Sequence, residues 1–65
     1  MDNQERAQKI RDIMQEQDMT MARLSRKITL HVNTVRNVLD GEHDITVLTL
    51  KKIAAGLEVK AAELL

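Results

Sequence analysis

Hydrophobic residues recur along this chain at intervals of three and four. Ala7, Ile10, Ile13 or Met14, and Gln17 share one stripe while Asp12 and Glu16 point away, which predicts a helix over about 3–17. Its start, Asp2-Asn3-Gln4-Glu5, has an acid followed three residues later by a glutamate, a capping-box-like pattern. Thr20 is placed to cap a second helix with Met21, Leu24 and Ile28 on one face. Thr46 is placed to cap another, with Val47, Leu50, Ile53, Ala54 and Leu57 inward, Lys51 and Lys52 outward, and Gly56 loosening its end. Val59 through Leu65 predict a last short helix, turning in either Ala62 and Leu65 or Ala61 and Leu64.

The middle of the chain reads two ways. Ile28-Thr29-Leu30-His31-Val32-Asn33 alternates apolar and polar, and Ile45-Thr46-Val47-Leu48-Thr49-Leu50 is rich in β-branched residues. With Asp40-Gly41 between them, a long hairpin fits that pattern. Val35, Val38 and Leu39 instead follow helical spacing, and residues 34–44 would make an untidy, charged loop. Periodicity leaves both open.

Composition narrows the class. The chain has 65 residues, no cysteine, no proline and two glycines, so an all-helical single domain over 1–65 is the first expectation. Surface scaling for this size gives a folded area of roughly 4,200 Å², which encloses a small core. Neither disulfides nor a cysteine-bound metal reinforce it, and a reducing, cytoplasmic setting is the expectation. The hydrophobic share of 43% beside 31% charged is a globular balance, with no apolar run long enough for a membrane span. Aromatic residues are absent, so recognition by stacking bases on aromatic rings has nothing to use.

The net charge is zero, but its distribution is uneven. Residues 1–18 carry three bases and five acids, and residues 40–65 the same. Between them, residues 19–39 carry Arg23, Arg26, Lys27 and Arg36 with no acid. A basic stretch between acidic flanks points to a polyanionic partner, against the plainer reading of a solvated face.

From Met19 to Leu65 the chain reads MTMARLSRKITLHVNTVRNVLDGEHDITVLTLKKIAAGLEVKAAELL. This series resembles the Cro/repressor-type helix-turn-helix family, also called xenobiotic-response-element-like. Leu24 and Ile28 match the first helix of the motif, Val35 and Val38 the second, and Gly41 its close. Leu50-x-x-Ile53-Ala54-x-x-Leu57, Val59 and Leu64-Leu65 match the remainder without a gap. The resemblance implies a compact five-helix, lambda-repressor-like domain with its helix-turn-helix motif at about 20–40, and it decides the hairpin question in favour of helices. Some positions depart from the family. Thr29 stands where the turn often has Gly, Met21 where a Gln commonly grips a phosphate, and Ser25 where Ala is common. Leu39 replaces a common Glu and Glu58 a common Gly, and Glu42-His43-Asp44 is acidic where relatives are frequently basic.

The resemblance further implies a double-stranded DNA-binding regulator, expected to be a repressor. A helix at about 32–39 would enter the major groove with Val32, Asn33, Thr34, Arg36 and Asn37 near base edges. Either Asn suits adenine, Arg36 suits guanine, and Val32 can pack on a thymine methyl. Thr20, Arg23, Arg26, Lys27 and His31, with the amides around Thr20 to Ala22, would meet the phosphate backbone. Family members commonly dimerise on near-palindromic operators. The candidate surface is Leu57, Val59, Ala61, Leu64 and Leu65, with Leu39 as a further exposed contact. The plainer alternative is that the leucines complete the core.

Rival chemistries are thin. His31 and His43 stand twelve apart without cysteine or metal-ligand spacing, no Gly-rich phosphate loop is present, and Ser25 has no evident base. No metal, cofactor or catalysis is expected. The alternative is an interaction module of the same fold, binding a toxin or co-regulator, which the neutral charge, Met21 and the acidic loop favour. The extent of the chain fits a small phage-type switch protein or the N-terminal domain of a longer regulator.

Overall fold

The computed structural model describes all 65 residues as four α-helices and a closing 3₁₀ turn: α1 Asn3–Glu16, α2 Met21–Ile28, α3 Val32–Leu39, α4 Val47–Leu57, and the turn Ala61–Glu63. No strand forms, and Ile28–Asn33 is the end of α2, a tight turn and the start of α3. The accessible area is 4189 Å². Ile10 and Met14 of α1, Leu24 of α2, Val35 and Leu39 of α3, and Leu50, Ile53, Ala54 and Leu57 of α4 form one core that Leu64 closes.

Each helix starts on a side-chain cap. Asp2 accepts the Glu5 N–H at 2.7 Å, Thr20 the Arg23 N–H at 3.1 Å, His31 Nδ1 the Asn33 N–H at 3.1 Å, and Thr46 the Thr49 N–H at 3.2 Å. The caps at 2, 20 and 46 follow from residue type; the histidine cap does not. Three helices end without glycine, on Asp18, Thr29 and Glu58, all at left-handed φ of 52° to 59°. In each case the next residue donates its N–H five residues back across the helix end: Met19 to Met14, Leu30 to Ser25, Val59 to Ala54. Thr29 therefore takes the conformation that the missing glycine would have taken, and a β-branched residue is strained there.

Several expectations need correction. The expected fifth helix is only a 3₁₀ turn, Ala61–Glu63, which follows the left-handed Glu58 that terminates α4. Within it Ala61 and Leu64 face in, while Ala62 and Leu65 face out. Val47 belongs to no inner face; at the first position of α4 it is 54% exposed. Gly56 does not loosen α4. It is buried, and a Cβ there would lie 2.3 Å from Ile28 Cγ2, so it is what lets α2 and α4 approach. Leu39 is not an exposed contact but part of the core. Leu57 and Leu64 are 0% exposed and have no surface to give a second protomer.

Polar side chains of α1 and of its C-cap Gln17 tie the ends of the other elements together. Arg11 donates to the Leu39 carbonyl at the end of α3, Gln17 Nε2 to the Leu57 carbonyl at the end of α4 (2.7 Å), and Arg6 Nε to the Leu64 carbonyl (2.7 Å). These are carbonyls that a helix leaves without a partner where it ends. Gln4 likewise holds the Gly41 carbonyl at 3.1 Å and Asn3 the Asp44 carboxylate at 2.9 Å, which fixes the loop after α3.

Candidate nucleic-acid interface

The tight turn at Thr29 sets α3 against α2, with Val35 buried at 1% exposure as its anchor. Helical spacing then fixes the rest of α3. Asn33, Arg36 and Asn37 lie together on the exposed face, opposite Val35 and Leu39. Val32 and Thr34 are half-buried shoulders of that face. All five residues expected to read bases thus sit on or beside one ridge, with three of them exposed. Arg36 Nη1 donates to Asn33 Oδ1 at 3.0 Å, so these two side chains lean on each other across one helical turn.

The residues expected at the DNA backbone divide into two groups. Thr20 and His31 cap the two helices of the motif, at the exposed starts of α2 and α3. Because His31 Nδ1 accepts a hydrogen bond, the neutral ring carries its proton on Nε2, a donor free to point outward. Arg23, Arg26 and Lys27 are exposed on α2 beside Met19. Arg23 donates to the Asp18 carbonyl at 3.0 Å and so is held to the turn before α2. Lys27 lies farther round, across a groove from Lys52 of α4.

Sequence reasoning missed one feature beside the ridge. Thr34, Asn37 and Val38 of α3 line a shallow groove with His43, Asp44, Ile45, Thr46 and Thr49. The signal was present in Thr46 and Thr49, three apart at a helix start, but capping alone accounted for them. The loop forming one wall is ordered by Asp40, whose carboxylate accepts the Glu42 N–H at 2.8 Å and contacts His43 Nδ1 at 3.2 Å. The Glu42 amide, then His43, hold the Asp40 carboxyl below the usual aspartate range.

An exposed polar ridge on a helix set by a tight turn against a second helix, each with a capped N-terminus, is the arrangement of a helix-turn-helix. A family model for the Cro/C1-type HTH DNA-binding domain matches residues 9–65, all but the first eight. The chain belongs to that family. The Cro/C1-type family is one of DNA-binding regulators, so membership supports double-stranded DNA as the partner, and its domains are typically non-enzymatic. No curated protein and no solved structure gives a significant match. No helix of this Cro/C1-type domain is long and apolar enough to cross a membrane.

Proposed function

We propose that the protein is a sequence-specific regulator that reads the major groove with α3, binds as a dimer to a near-palindromic operator, and represses by occupying it. The observation that carries this reading is the α3 ridge, where Asn33, Arg36 and Asn37 stand together in solvent above a buried valine. Amides and a guanidinium are the groups that distinguish adenine and guanine by paired hydrogen bonds in the major groove. Nothing in the fold requires such a cluster, since the core is complete without it.

The capped starts of α2 and α3, with Thr20 and the His31 Nε2–H, fit the phosphates that flank the groove, and Arg26 adds charge nearby. Occupancy alone suffices for repression, because a domain seated in the groove excludes other proteins from it. Two α3 helices about 34 Å apart would each meet one half-site. The contact between protomers draws on what the C-terminal segment leaves accessible, namely exposed Leu65 with half-buried Val59 and Ala61.

The test compares the Arg36→Ala and Arg26→Ala variants by fluorescence anisotropy on the preferred site and on random duplex, across a salt series. Arg36→Ala is expected to cost about 1–3 kcal/mol on the preferred site and little on random DNA. Arg26→Ala weakens both alike and flattens the salt dependence. Equal losses for Arg36→Ala on both duplexes would remove it from the readers.

A further inference from the structure

Away from the α3 ridge, α4 turns a second kind of surface to solvent. Leu48 is 65% exposed, and seven residues on, Ala55 is exposed on the same side of the helix. Lys51 and Lys52 flank that stripe. The stripe runs into the groove between α4 and α2, which Lys27, Ile28, Lys52, Ala55 and Gly56 line. This groove exists because glycine at 56 lets the two helices close up with Ile28 between them. Neither α2 nor α4 contains an acidic residue, and the one ion pair in the molecule joins His43 to Asp40. Lys27, Lys51 and Lys52 are therefore three unpaired cations around an apolar floor.

We infer that this face docks an acidic amphipathic helix from another protein, laid along α4 with its apolar side on Leu48, Ala55 and Ile28 and its carboxylates against the three lysines. The face has the two elements of helix-in-groove recognition, an apolar strip and a charged rim. Duplex DNA fits it poorly, because a phosphate backbone would leave Leu48 and Ile28 facing charge. A second copy of this chain fits it poorly as well. A two-fold contact through α4 sets the same lysines against one another, and like charges across an interface are repulsive. The inference stands apart from DNA reading, since the docking face and the α3 ridge share no residue and both can be filled at once.

The probe is a synthetic peptide helix with leucines at i, i+3, i+4 and i+7 and glutamates on both sides, beside a control with lysines for the glutamates. Amide shifts of the whole protein are followed with and without bound duplex. The glutamate peptide is expected to shift α4 residues around Leu48–Ala55 together with Lys27 and Ile28, equally in the presence of DNA, and the lysine peptide is not. Lys52→Glu and Leu48→Ser change exposed side chains, so both variants should melt like the parent while binding the glutamate peptide at least about tenfold more weakly, the equivalent of about 1.4 kcal/mol. Absence of binding, equal binding of the lysine peptide or unweakened variants would overturn the inference. So would shifts centred on Asn33–Asn37 that duplex displaces, or concentration-dependent shifts of this face without peptide, which would assign it to a second copy. None of these outcomes bears on whether α3 reads DNA.

Discussion

Thr29 shows how a single residue records a conflict between local preference and fold. The turn between α2 and α3 needs one residue at positive φ, and Thr29 supplies it at φ 57° against the preference of a β-branched side chain. Thr29→Gly is expected to stabilise the protein by about 1 kcal/mol, the strain released less the chain entropy that glycine adds. In a thermal melt that is a rise of about 4–8 °C; an unchanged or lower midpoint would contradict the strain. Acid acts on two other residues. Asp2 and Asp40 are held below the ordinary aspartate value of about 3.9, each chiefly by a backbone N–H, of Glu5 and of Glu42 respectively. Their contribution is present in full above that value and is lost as pH falls through the lowered folded-state value. Melting midpoints should hold near neutral pH and drop below about pH 4, less so in Asp2→Asn. The core positions, the Thr caps and the exposed polar face of α3 were legible in the sequence, because apolar spacing and residue type specify them. The exposure of Val47 was not, since a cap fixes where a helix starts but leaves its first residue free to face either way.

At the scale of elements, α1 has two roles and the sequence displays only one. Its apolar stripe, Ala7, Ile10 and Met14, is plain in the 3.6-residue period. Its second role, closing the open ends of α3, α4 and the C-terminal turn through Arg11, Arg6 and the C-cap Gln17, has no local pattern. Those residues read as an ordinary wet face until the partner carbonyls, 28 to 58 positions away, are known. Arg11→Ala and Gln17→Ala are each expected to cost about 1 kcal/mol, the net worth of a hydrogen bond, as a lower denaturant midpoint with base preference intact. Unchanged midpoints in both would mean that these contacts add nothing to stability. The segment Val59–Leu65 shows the converse: it has helical spacing, but only Ala61–Glu63 turns, as a 3₁₀ helix with Leu64 buried beneath it.

Across the whole molecule, the zero net charge conceals a division of labour. The acids gather in α1, in the loop after α3 and near the C-terminus, leaving α2, α3 and α4 with basic residues alone. On α3 that leaves Arg36 among amides on a polar ridge, and on α2 and α4 it leaves lysines around an apolar strip. Charge counting along the sequence detected the basic stretch from 19 to 39 but assigned all of it to one partner. It did not show that Lys27 also borders the groove against α4, which depends on the packing of Ile28 against Gly56. The central claim, that α3 reads bases, is tested most directly by selecting binding sites from random duplex DNA with the parent protein and with Arg36→Ala. The account predicts an enriched, near-dyadic pair of half-sites about one DNA turn apart, with a guanine preference in each half that Arg36→Ala erases. A pool that remains random with the parent protein, or an enriched site unchanged by Arg36→Ala, would contradict it.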